Sequence, residues 1–257
     1  MKPWLAASAI LFGASSAHAT TYYATDFEAT AFMPGQIGGQ GGWQTFSASS
    51  QPALAQVETG VAQSGTQAIS VDGAAKGQTG PYYAMTLVSP GKVNLSANIM
   101  LSSSAGGAAW QFAAIGPGLI GFAGGIDITK TGAIRAISGS FPTIGAFSYN
   151  QWHRVDVVLD YATQTFGVKL DGLNLASGLA FCGSNSGCSG ATVGNFGVGI
   201  FDSFGGAPGP ALGYLDDFSI ATPPAGVPEP ADWALMLVGL GGLGAVARTA
   251  RPRVQTT

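Results

Sequence analysis

The chain predicts an all-β fold, an antiparallel β-sandwich or barrel, and three observations carry that prediction. Apolar residues recur with period two, most clearly in "QWHRVDVVLDYATQTFGVKLDGLNL". Turn residues separate many short apolar runs at regular spacing. No segment of the body shows the 3.6-residue periodicity of an amphipathic helix.

In that longest stretch Val155, Val157 and Leu159 alternate with Asp156, Val158 and Asp160. Successive strand side chains point to opposite faces, so the pattern reads as one buried and one solvated face. A turn follows around Ala162-Thr163, and Phe166, Val168 and Leu170 then alternate in a second strand. Asp171-Gly172 is a tight-turn dipeptide, so a third strand is expected beyond it. Trp152 is assigned to the core and His153 to a strand end. "TYYATDFEA" is the expected first strand, with Asp26 and Glu28 on one face and Phe27 on the other. "QAISVDG", "YYAMTLVS", "KVNLSANIML", "AAWQFAAIG", "LIGFAGGIDITK", "GAIRAISG", "VGNFGVGIFDS" and "GYLDDFSIA" complete the set. Many short strands with such turns are the mark of a sandwich or barrel.

The two ends differ from this body. Lys2, an apolar run from Trp4 to Gly13 and the small-x-small triplet Ala17-His18-Ala19 read as a secretory signal peptide over 1–19, cleaved after Ala19. The expected sandwich domain is 20–221. A proline-rich linker, 222–230, follows it. Residues 231–257 hold an apolar segment, Trp233 to Ala247, and a basic tail with Arg248, Arg251 and Arg253. As a single hydrophobic helix that segment spans roughly 22 Å, short of a bilayer core of about 30 Å. It could insert with thinning and snorkelling, as a temporary hold with the arginines cytoplasmic.

Composition excludes some partners. Ten Lys and Arg stand against 13 Asp and Glu, and no basic cluster is present, so nucleic acid is not expected. Aromatic and β-branched residues are plentiful, unlike a disordered chain. Cys182 and Cys188, in "FCGSNSGCSG", are expected to form a disulfide, since export places them in an oxidising compartment. A zinc site would lack ligands.

The tail resembles the PEP-CTERM sorting signal of Gram-negative bacteria. Pro228-Glu229-Pro230, Trp233, a Gly-rich apolar stretch and terminal arginines, together 227–253, carry the likeness. The arginines are more spread than in many members. The resemblance implies recognition by an exosortase-type membrane protease after signal peptidase has acted. It also implies transient inner-membrane anchoring, tail removal, and delivery to the cell surface or an extracellular polysaccharide matrix. The body more loosely resembles the concanavalin A-like lectin/glucanase superfamily, a two-sheet jelly roll. "TDFEA", "GWQTF", "SGTQAISVDG", "NQWHRVDVVLDYATQTFGVKLDG" and "YLDDFSIA" carry that likeness. Such a fold would bring first and last strands together.

The glucanases of that superfamily carry their acids as Glu-x-Asp-x-Glu on one strand. That pattern is absent: Glu28 and Glu58 lie in separate segments and "GIDITK" offers Asp127 alone. Glycosidic hydrolysis normally needs two carboxyls flanking the bond. No catalytic residue is assigned, and His153 lacks a GxSxG partner motif. Two readings stay open for Asp26, Glu28, Asp216 and Asp217. They gather around a structural calcium, or Asp216 caps a turn and bonds backbone amides. Sugar binding would use ring faces, and Trp43, Tyr82, Tyr83 and Trp110 are the candidates, each also suited to the core. The expected protein is an exported, exosortase-processed surface or matrix protein. Its sandwich would be non-catalytic and carbohydrate-binding, with extracellular polysaccharide as partner. A structural or adhesive protein without a small ligand is the alternative, and a glycoside hydrolase comes third.

Overall fold

A computed structural model describes residues 19–47, 55–73, 79–87, 91–102, 108–115, 122–182, 197–204 and 212–223. Ala17, Cys188 and the sorting residues Pro228, Glu229, Pro230, Trp233, Arg248, Arg251 and Arg253 lie outside the described residues, as does the expected C-terminal helix. Thr20–Pro223 is a compact unit with its own core.

The described residues form strands and no helix. Numbered in chain order, one sheet holds β1 (Thr21–Thr25), β2 (Gly35–Gln36), β4 (Ala55–Thr59), β5 (Gln67–Asp72) and β7 (Lys92–Leu101). It continues through β12 (His153–Asp160), β13 (Thr165–Leu170), β14 (Leu173–Ala180) and β16 (Leu212–Ala221). The other sheet holds β3 (Trp43–Ser47), β6 (Thr79–Met85), β8 (Ala109–Ile115) and β9 (Phe122–Ile128). Its remaining strands are β10 (Ala133–Ala136), β11 (Thr143–Ala146) and β15 (Gly197–Phe204). The first sheet runs β14-β13-β12-β7-β16-β5-β4-β2 with β1 also on β16; the second runs β11-β10-β9-β8-β15-β6-β3. Ladders are antiparallel throughout.

The core lies between the sheets. From the nine-stranded sheet come Leu95, Ile99, Val155, Val157, Leu159 and Phe166; from the seven-stranded sheet come Trp110, Phe112, Ile126 and Ile128. Removing such a side chain from water contributes about 1.5–3 kcal/mol each. The polar alternates Asn94, Asn98, Arg154 and Asp156 emerge on the opposite, outer face, as period two requires.

The hairpin runs as its pattern dictates. Val155 faces Leu170 and Asp160 faces Thr165 across it. Asp171 (φ 51) and Gly172 (φ 80) make the next turn, both left-handed, as a type I′ turn demands. First and last strands pair, Thr21 with Ala221 and Thr25 with Phe218.

Three expectations need correcting. The first strand ends at Thr25, because Phe27 takes φ 58 and breaks the alternation. Asp26 and Glu28 are therefore not neighbours on one strand face. "YYAMTLVS" gives a strand that starts earlier, at Thr79, and stops at Met85. Trp152 is outside the core cluster; it is half-buried, just ahead of β12 on the outer face, edge-on to Tyr214 with ring centroids 6.4 Å apart.

Candidate functional site

The site is built on a break in β16. Its first half pairs with β5, Leu212 opposite Asp72 through Leu215 opposite Ile69. Its second half pairs with β1, from Phe218 to Ala221. Asp216 and Asp217 fall between the two partners. The ladder to β7 is also irregular there, shifting between Asp216 and Ser219, and Asp217 is left-handed at φ 49. A bulge of this kind re-aims a side chain and leaves backbone groups seeking partners.

The loop between β4 and β5 supplies donors to the two carboxylates. Asp216 is fully buried, and its Oδ2 accepts the backbone N–H groups of Gln63 (2.8 Å) and Ser64 (3.0 Å). Its Oδ1 accepts the N–H of Asp217 at 2.8 Å. Burial pushes the Asp216 carboxyl up to about 6, against the pull of those N–H groups. Asp217 takes the Ser64 hydroxyl on Oδ1 (2.7 Å) and the Asn98 amide on Oδ2 (2.7 Å). Glu28 holds the far end of the loop: Oε1 accepts from the N–H groups of Thr66 (2.6 Å) and Gln67 (2.9 Å), and Oε2 from the Thr66 hydroxyl (2.9 Å). Those bonds, the Thr66 N–H first, hold the Glu28 carboxyl below its usual range. Gly65 (φ 62) is required here, since a Cβ would come within 2.2 Å of Glu28 Oε1.

The four predicted acids thus share a neighbourhood, but three of them act as acceptors for one loop. Of the two readings left open for Asp216, bonding to backbone amides is the arrangement present. Among the described residues, no group of three or more His, Cys, Asp or Glu side chains is placed to hold a metal ion. Asp26 is more open; its Oδ1 accepts the Glu28 N–H at 3.3 Å.

Beside the break lies a cleft of about 380 Å³ lined by Thr25, Asp26, Arg154, Asp217, Phe218 and Ser219. Arg154 is the cation in it. Its Nη1 donates to the Asp217 carbonyl at 3.2 Å, and its Nε lies 3.6 Å from Asp156 Oδ1. Of the guanidinium's five N–H donors, these contacts use the Nε donor and one Nη1 donor, and the residue lines the cleft. Asp156 continues the polar row across the sheet: Oδ1 accepts the Ser96 hydroxyl (2.6 Å) and the Asn94 amide (3.2 Å). Asn94 Oδ1 is buried without a hydrogen-bond partner. Sequence reasoning missed Arg154, Asn98, Ser96, Asn94 and Asp156 as site residues. Their signal was the polar half of the alternation in "KVNLSANIML" and "HRVDVVLD".

The four predicted aromatics divide: Trp43 and Trp110 are buried, Tyr83 packs against the core, and Tyr82 lies on the other face of its strand. Trp43 is 1% exposed. It meets Phe27 and Phe218 edge-on, and its Nε1 donates to the Tyr23 hydroxyl at 2.9 Å. The ring that follows a glycine loop is a core ring because β3 begins at it and turns it inward. Trp110 is likewise core, against Gly213, where a Cβ would meet the indole at 2.4 Å. Tyr83 stacks on Tyr23 with centroids 3.7 Å apart and packs against the core. Tyr82 points the other way, and its hydroxyl donates to Gln44 Oε1 at 2.5 Å. Adjacent tyrosines on a strand must divide in this manner.

Two other polar groups are held within the fold. His153 starts β12, with Nδ1 2.7 Å from Asp171 Oδ2 and Nε2 3.1 Å from the Ser148 carbonyl. Both contacts are internal to the fold. Asp127 is buried on the outer side of the seven-stranded sheet and is paired through Oδ2 with Arg135. Burial pushes its carboxyl up and Arg135 pulls it back.

No family model matches the chain, and no curated protein matches it. Solved structures do. A sialidase aligns with a TM-score of 0.58 at 13% identity over 81% of this chain, which spans only 19% of that one. A structure from work on endo-acting O-glycanases of the human gut microbiota that initiate mucin breakdown aligns with a TM-score of 0.52 at 14% identity. That alignment covers 79% of this chain and 99% of the other. A xylan-binding domain from Paenibacillus barcinonensis gives a TM-score of 0.42 at 15% identity, over 82% and 100% of the two chains. At these identities the likeness to the first two is one of fold: the described residues form an antiparallel β-sandwich.

Proposed function

We propose that this protein is a non-catalytic glycan-binding β-sandwich displayed outside a Gram-negative cell. One observation carries the reading: the cleft at the β16 break is lined by a cation, Arg154, an exposed acid, Asp26, and a hydroxyl residue, Ser219. A sugar hydroxyl both donates and accepts, so a site with convergent groups of each kind suits it. The fold shared with a sialidase and an O-glycanase structure supports the same class of ligand. The reading is non-catalytic because Asp216 and Asp217 are engaged within the fold, leaving Asp26 as the open carboxylate of the cleft.

Export and processing complete the proposal. Signal peptidase cuts after Ala19, the apolar tail holds the chain in the inner membrane, and an exosortase-type protease removes it near Pro228-Glu229-Pro230. The protein then joins the cell surface or the extracellular polysaccharide.

Residues 20–223 applied to a glycan array that includes the host's own exopolysaccharide test the binding reading. Retention on at least one glycan, lost on Arg154→Ala with the melting temperature unchanged, is expected. Binding to no glycan would sink it and leave a structural or adhesive surface protein. Turnover of any bound glycan, lost on one Asp substitution, would replace it with a hydrolase.

A further inference from the structure

We propose that the cleft is one of two adjoining subsites, the second being the open face of Trp152 backed by the buried Tyr214, and that the occupant is a neutral or amino-sugar oligosaccharide of at least two units. The proposal rests on the glycan reading and adds the ligand's length and charge.

Trp152 directly precedes β12, and Arg154 is the second residue of that strand. Two residues along an extended chain is about 7 Å on one face. Tyr214 stands two positions before Asp216 on β16, opposite Met100 of β7 and Ser70 of β5. It therefore shares the outer face with the Trp152 ring that meets it edge-on at 6.4 Å. Neither ring belongs to the core cluster; Tyr214 is buried and backs Trp152, which is half-buried. A half-buried indole held from one side offers its remaining surface to an apolar face, and the C–H face of a pyranose is such a surface. One sugar in the cleft thus places its neighbour on Trp152.

The charges select among sugars. Asp26 brings an open carboxylate to the cleft, Asp217 adds the charge of one held by Ser64 and Asn98, and Arg154 brings one guanidinium, which Asp156 also approaches. An acidic sugar would enter against a net negative lining, and like charge is an effective means of rejection. A hydroxylated or aminated sugar meets no such opposition.

Calorimetry on residues 20–223 tests this with three series of one to six units: neutral β-glucan oligosaccharides, glucosamine oligosaccharides and uronate oligosaccharides. A neutral or amino series should gain about tenfold or more in affinity between one and three units. Trp152→Ala should remove that gain and leave single-unit binding intact, while Trp152→Phe retains part of it. Arg154→Ala should weaken every length. Length dependence unchanged in both Trp152 variants, or tightest binding by the uronate series, overturns the proposal and leaves the glycan reading standing. Binding by no series overturns both.

Discussion

Asp216 is the residue on which the site depends. Its carboxylate replaces the ladder that β16 lacks at the break, accepting three backbone N–H groups in a buried place. Asp216→Ala leaves those donors without an acceptor, and an expected loss of about 2–4 kcal/mol follows, measured by urea unfolding of residues 20–223. Its titration gives a signed prediction. The folded carboxyl is pushed up to about 6, above the ordinary Asp value. The folded state then holds the proton more tightly, so this group's contribution is full below about pH 4 and is lost as pH rises through 6. Glu28 works in the opposite sense, its contribution present above the ordinary Glu range and lost as pH falls. Wild type compared with Asp216→Asn isolates the first effect. The stability difference should shift against wild type between pH 4 and 6.5, and a flat difference contradicts the assignment. Gly65→Ala forces a left-handed residue and a contact with Glu28. It should cost at least about 1–2 kcal/mol from the backbone alone, read by thermal melting.

At the scale of elements, β16 serves two partners in turn, and the cleft is the seam between them. The aromatic group of Phe27, Trp43 and Phe218 braces that seam from inside. Trp43→Ala should cost about 3–5 kcal/mol and impair binding only through unfolding, checked by binding at a temperature well below its melting point. Strands with a long alternating run were legible in the sequence. The β12–β13 hairpin is an example, because its apolar positions and Asp171-Gly172 agree. Shorter strands were not: β4 has only Ala55 and Val57 to show, and β11 has partly exposed residues. The acids were legible as a group, since first and last strands pair. Their role was not, because it depends on a loop, 60–66, whose backbone N–H groups carry no sequence signal. Trp152, expected in the core, lies on the outer face for a related reason, while Trp43 turns inward. Which face a ring takes depends on where its strand begins, and one residue of register reverses it.

For the whole molecule, the sandwich presents two kinds of outer face. The nine-stranded sheet carries the polar row of Asn94, Ser96, Asp156 and Arg154 with the cleft at its end. The seven-stranded sheet carries Tyr82, Phe46 and the buried Asp127–Arg135 pair. Intact-mass spectrometry of the protein recovered from the cell surface should find Thr20 at its start and the segment beyond Pro230 missing. A retained tail would make that segment an ordinary weak anchor. The most direct test of the central claim is a nuclear magnetic resonance titration of residues 20–223 with a glycan retained on the array. Shift changes centred on the amides of 24–26, 154 and 217–219 are the expected result. Changes centred on Tyr82 and Phe46 of the other sheet would contradict it.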